Sequence, residues 1–253
     1  MLKPPQWLTK GAGRRRFLWR ASAVLMALLL SACVSRSPVK PAGVALDTVE
    51  EGDGQPQWWY LRFRLAREDA QEVSSYLDML IADRILAPLI VAERDEIVLW
   101  RFHRRWPNDA TGHQFSLIVF TSVPVAQRLA DNIGRSAMLS QLRDDGHLVQ
   151  FRIDQPAEEV RFDIDATSDR AWPLPIQREW PHFIMGASHM WLGLVQGAAR
   201  EYPDMTLYEK YQAVESDVDA LWFKHGNHAF FHHLSALFGY RPIRVIRRDI
   251  MTF

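Results

Sequence analysis

One cysteine in 253 residues, Cys33, excludes an intramolecular disulfide and any zinc or iron–sulfur centre built from cysteines. An excess of one charge sign is missing as well: 30 Lys and Arg balance 30 Asp and Glu. All six charges in residues 1–32 are positive, and without that segment 24 basic side chains face 30 acidic ones. A sequence-wide basic footprint is therefore absent, and nucleic acid is not an expected partner. No phosphate-binding glycine loop, dinucleotide fingerprint or calcium loop occurs. Gly186-Ala187-Ser188-His189 lacks the second glycine of a nucleophile elbow, and adjacent residues on a helix point about 100° apart, which argues against a serine hydrolase. What is present is 48% hydrophobic and 24% charged residues, enough to bury a core in one large domain or two small ones.

Residues 1–20 are polar and basic, Ala21–Leu30 is an uncharged run of ten, and Ser31-Ala32 places small residues before Cys33. This is the three-part layout of a secretory signal, expected over 1–32. The apolar run falls short of the ~20 residues a spanning helix needs. With Leu30-Ser31-Ala32-Cys33 the chain resembles a bacterial lipoprotein precursor. The resemblance implies diacylation of Cys33 through sulfur, cleavage before it, and N-acylation of the new terminus. Val34, where aspartate is the inner-membrane retention signal in many Gram-negative lipoproteins, implies sorting to the periplasmic face of the outer membrane. Gly13-Arg14-Arg15-Arg16-Phe17-Leu18 resembles a twin-arginine export signal, with Gly13 departing from the preferred Ser or Thr, so Sec export stays open.

Residues 33–56, rich in Ser, Pro, Gly and acids, read as a flexible tether. Beyond it, Trp59, Leu61, Phe63 and Leu65 alternate with Trp58, Tyr60, Arg62 and Arg64 as in a strand with one face buried. A helix is expected over 72–93, ended or kinked by Pro88, then strands Ile97–Arg105 and His113–Thr121 around a turn at 107–112. A helix over Val125–Arg143, a stop at Asp144-Asp145-Gly146 and a strand Leu148–Asp154 with Val149, Phe151 and Ile153 inward follow. This order predicts an α+β fold with a ferredoxin-like split βαβ (βαββαβ) unit within 57–170, its two helices on one sheet face. A fifth strand is expected at 160–165 and a Trp-Pro-Leu-Pro linker at 172–175. Residues 171–253 read as a mainly helical section packed on the sheet. Its helices are expected over 182–200, from Thr206 to Lys224 with a stop at Gly226, and from an Asn227 cap to Phe238, before a strand near 243–247. Gly186, Gly193 and Gly197 form a stripe that would admit a close neighbour.

Two side-chain constellations carry chemistry. Six of nine histidines lie beyond residue 181, four of them in 225–233. His228 and His232 fall one helical turn apart and would suit a divalent metal, with His225 or Glu215 as the third ligand. No His-Glu-x-x-His signature is present, so a hydrogen-bonded or solvated face is the plain alternative. The second constellation is Arg62, Arg64 and Arg152, with Arg101, His103 and Arg105, which a split βαβ sheet would bring onto one face suited to phosphate or carboxylate. Against it stands cover by the C-terminal helices, with Asp217 and Asp219 neutralising the charge, which Trp58 and Tyr60 on the same face favour. The functional expectation is a non-enzymatic envelope lipoprotein, an accessory or interaction module with an envelope protein partner. The alternative is a metal-binding protein or metal-dependent enzyme.

Overall fold

The computed structural model describes residues 54–66, 75–105 and 112–241. The signal segment, Cys33, nearly all of the tether, residues 107–111 of the expected turn and the terminal strand lie outside them. Four strands, β1 Gln57–Leu65, β2 Leu99–Arg105, β3 Gln114–Thr121 and β4 Leu148–Asp154, form one antiparallel sheet in the order β2-β3-β1-β4. Helices α1 Tyr76–Ile81 and α2 Ala87–Ala92 connect β1 to β2, and α3 Val123–Gly134 and α4 Ala137–Asp144 connect β3 to β4. Then come α5 Leu174–Ala199, α6 Leu207–Asn227 and, after a wide turn, α7 His233–Leu237. The protein is thus a mixed α and β fold built on a four-stranded antiparallel sheet.

Period-two alternation decides which sheet face is the core. Trp59, Leu61, Phe63 and Leu65 of β1 lie beside Val119, Leu117 and Phe115 of β3, and all are buried against α1, α3, α5 and α6. On β4 only Phe151 and Ile153 of the expected trio share that face. Val149 is exposed because a register shift pairs Leu65 with Leu148 but Arg64 with Gln150, leaving Val149 as the extra residue of a bulge. Leu148 takes the core position instead. The stop before β4 is as expected: Gly146 has φ +81, and its N–H and that of His147 return to Arg143 and Leu142 carbonyls.

Several expected helices have other bounds. Pro88 does not end its helix. The chain widens into a π turn over Ala82–Leu86, so the missing N–H falls where the regular ladder has already been relaxed, and helix resumes to Ala92. The helix expected over Val125–Arg143 is two, broken at Arg135. Ser136 caps the second by accepting from Leu139 N–H at 3.4 Å, and the break lets Leu129 and Ile133 of α3 and Leu139 and Leu142 of α4 all reach the core. The fifth strand is absent. Residues 156–172 form successive turns, and one of them lends its Arg161 carbonyl to Trp58 N–H at 2.9 Å, beyond the point where β4 stops pairing with β1.

The supposed linker at 172–175 opens α5. Pro173 occupies the cap position, and the helix continues through Pro181. At the C-terminal side, Gly226 does not stop α6. A Cβ there would lie 2.7 Å from the Trp222 ring, so the glycine makes room for that indole within a continuing helix. A second π turn, His228–His232, then joins α6 to α7, and Asn227 caps nothing. The glycine stripe of α5 also has a different meaning from that expected: a Cβ at Gly186, Gly193 or Gly197 would meet nothing within 4 Å. No helix or strand approaches them among the described residues.

Candidate functional site: an arginine-lined sheet face

The register places the second sheet face residue by residue. Arg62 stands opposite Arg152 on one side and Ser116 on the other, and Ser116 faces His103. Arg64 lies between Gln150 and Gln114, with Arg105 next, while Tyr60 lies between Asp154 and Ile118, with Arg101 beyond. Cross-strand neighbours are about 5 Å apart and same-face neighbours along a strand about 7 Å, so five guanidinium groups share a patch a few residues wide with one carboxylate, Asp154, among the described strand residues. All the expected members, Arg62, Arg64, Arg152, Arg101, His103 and Arg105, come together here.

The face is divided. At one end Trp58, Leu99 and Ile118 are buried with Phe120 under Ile164, Ala166 and Met185. Trp58 Nε1 donates to the Asp163 carbonyl at 2.9 Å, and Arg101 Nη2 to the Thr167 carbonyl at 3.0 Å. The turns of 156–172 supply most of this cover, and α5 adds Met185. The expectation that the C-terminal helices lie over this face therefore holds only at this apolar end, through that one side chain. Helix α5 runs along edge strand β2, where Ser188 Oγ accepts from Phe102 N–H at 3.1 Å and Trp191 packs on Phe102 and Phe115, which belong to the core side. Asp217 accepts from Tyr202, and Asp219 senses Arg104, whose pair with Asp78 is also on the core side. Neither neutralises the arginine face.

At the other end Arg64, His103, Gln150 and Arg152 are exposed. The Arg62 guanidinium lies 4.4 Å from the centre of the Tyr60 ring and donates to Asp154 Oδ1 at 2.8 Å, while Arg152 reaches the same carboxylate only at 3.9 Å. Arg101 is nine-tenths buried, and its Nε has no hydrogen-bond partner. Partial desolvation beside the neighbouring side chains, then the charges of Arg101, Arg105 and Arg62, hold the pKa of the exposed His103 down to about 4. Like charges directly opposite each other destabilise a sheet, so the Arg62–Arg152 pair is a cost that Asp154 offsets only in part. An oxyanion bound between the forks would offset the rest.

The histidine constellation assembles differently from the expectation. The His228 and His232 rings stack at 4.9 Å between centroids, and His233 joins them at 5.2 and 5.3 Å. Glu215 is committed elsewhere, accepting from Ser75 N–H at the start of α1. Among the described residues no group of three His, Cys, Asp or Glu has the arrangement to hold a metal ion.

One constellation was not singled out in the sequence. Asp78, fully buried, accepts from Arg104 Nε at 2.7 Å and lies 2.9 Å from His113 Nε2. Arg104 borders a cleft of about 190 Å³ with Phe102, Phe115, Ser188 and Trp191, and its guanidinium stacks on the Trp191 ring at 4.8 Å. The available signal was a carboxylate between Leu77 and Ile81 on the apolar stripe of its helix. Ser188, part of the rejected nucleophile-elbow motif, is bound to Phe102 N–H and the Ile184 carbonyl. No family model, curated protein or solved structure matches the chain.

Proposed function

We propose that this chain is an envelope lipoprotein, anchored through acylated Cys33 at the periplasmic face of the outer membrane, that works without catalysis as an interaction module. The tether of residues 33–56 lifts the folded part from the lipid surface, and the open half of the arginine face is its binding surface. The strand order β2-β3-β1-β4, with helices following β1 and β3, supports a ferredoxin-like split βαβ unit as the platform. The carrying observation is the register that aligns Arg62 with Arg152 and Arg64 with Arg105 and, among the described residues, places a single strand carboxylate, Asp154, beside them. Guanidinium forks at this spacing suit ligands with repeated phosphate or carboxylate groups, such as lipid headgroups, lipopolysaccharide phosphates, acidic wall polymers or an acidic segment of an envelope protein. Charge reversal at both Arg62 and Arg64 tests the reading. Circular dichroism of the double variant should match the parent, and its binding to lipopolysaccharide-bearing or acidic-polymer beads should be lost. Binding equal to the parent's on every such bead would reject the arginine face.

A further inference from the structure

The last stretch of the described chain leaves the body of the protein. From Leu221 to Tyr240 only Gly226 is buried, and Phe223, Leu237 and Phe238 are 90%, 82% and 74% exposed. Such an arm of continuous helix with so little tertiary packing is marginal in water, and its stability has to come from something it touches. Its side chains are sorted. Trp222 and Phe230 pack edge to face at 5.3 Å on one side, while His228, His232 and His233 gather on another. Phe223, Phe231, Leu234 and Phe238 follow the aromatic side at helical spacing, and Lys224 and His225 follow the histidines. The 22 residues from Ala220 to Arg241 contain no Asp or Glu in a chain that otherwise carries 30 of them.

We infer that the arm formed by the end of α6, the π turn and α7 lies on an anionic lipid surface, with Trp222, Phe223, Phe231 and Phe238 in the headgroup–acyl boundary and Lys224 and the histidines toward the phosphates. Three observations choose lipid over other occupants. An aromatic face opposite a cationic and imidazole face is the pattern of helices that rest in a membrane interface. No described helix is long and apolar enough to cross a bilayer, so the arm rests on the surface and does not span it. A second copy would bring the same acid-free, cationic sequence against itself, whereas anionic headgroups complement it. This site is separate from both Cys33 and the arginine face, and it can fail while either stands.

The test uses the full chain with Cys33→Ser, which leaves no cysteine and allows single labels. An environment-sensitive fluorophore is placed at Phe223→Cys, Leu237→Cys or, as a control on the sheet, Val149→Cys. Vesicles of phosphatidylethanolamine with phosphatidylglycerol should raise and blue-shift emission at 223 and 237, with quenching by lipids spin-labelled near the headgroup, and leave 149 unchanged. Because each label reports its own position, binding through residues 21–30 is not mistaken for binding by the arm. Phe231→Asp with Phe238→Asp, read from the label at 223, should weaken the emission change by about tenfold or more in lipid concentration, since each buried aromatic side chain contributes on the order of a decade. Labels at 223 and 237 that stay water-like on membrane-bound protein would overturn the inference. Labels that turn apolar with rising protein concentration and no lipid would overturn it in favour of self-association.

Discussion

Ser168 Oγ donates a 2.6 Å hydrogen bond to the carbonyl of Gln177, the acceptor that Pro181, four residues later in α5, cannot serve because it has no N–H. The proline inside a 26-residue helix is tolerated because a buried serine from the preceding turns replaces the missing donor. The Gln177 side chain completes the junction by donating to the Trp172 carbonyl at 2.6 Å. Thus the segment that covers the apolar end of the arginine face is fastened to the start of α5. Ser168→Ala removes the donor and leaves a buried carbonyl unpaired, at a cost of about 1–3 kcal/mol. Denaturant unfolding should show that loss. Pro181→Ala in the same background restores the helical N–H and should recover most of it; a double variant as unstable as Ser168→Ala would disprove the pairing.

Asp78 is the charge on which the core side depends. Its carboxylate is fully buried, its partner Arg104 is partly exposed, and His113 is buried on the other side. Removing one partner from a buried ionic pair costs about 3–5 kcal/mol, and the lower end applies here because Arg104 can regain water. Asp78→Ala should therefore lower the midpoint of thermal unfolding by about 6–12 °C in a protein of this size. Asp78→Asn keeps the volume and one acceptor and should fall between the two. Calorimetry of the three proteins checks the order.

The sheet was legible from alternation alone, because Trp59, Leu61, Phe63 and Leu65 on one side and Arg62 and Arg64 on the other leave only one way to face the core. The membership of the arginine face followed from the same period of two. What covers that face was not legible, since the alternation of Val160, Phe162 and Ile164 reads as a strand, whereas residues 156–172 form turns that hold the sheet through carbonyls any sequence carries. Helix bounds failed at prolines and glycines. Pro88 and Gly226 each read as breaks by local rule, and they are accommodated by a π turn and a neighbouring indole, while Pro181 lies inside α5 with a borrowed serine. The Asp78 cluster was missed because His113 and Arg104 meet it only through strand pairing with residues far away in sequence.

The proposed acylation of Cys33 makes a prediction independent of the fold. Two or three chains, each methylene contributing about 0.8 kcal/mol, hold a protein to a bilayer stably, whereas one chain is marginal. In a Gram-negative host, mass spectrometry of the mature protein should find a chain beginning at residue 33 with acyl additions. Cys33→Ser should accumulate at precursor mass and take up no radiolabelled palmitate. An unprocessed wild-type product with a bare thiol would remove both the anchor and the compartment.

His103 reports on the arginine face without any charge being mutated. Its pKa, held near 4 by desolvation and by Arg101, Arg105 and Arg62, lies below the ordinary value of 6.5. The folded state therefore resists a proton that the unfolded chain accepts. Stability contributed by neutral His103 is complete above about pH 6.5 and is lost as pH falls toward 4. His103→Gln should flatten that part of the stability profile, and the effect is moderated by solvent because the side chain is exposed. An anion seated between the guanidinium forks cancels the field that suppresses the imidazolium, so it must raise the same pKa. NMR titration of the His103 ring should move from about 4 toward 6.5 when a polyphosphorylated ligand is added, and move far less in sodium chloride of equal ionic strength. A titration unmoved by every phosphate or carboxylate ligand would mean that the arginines of this face hold no anion there.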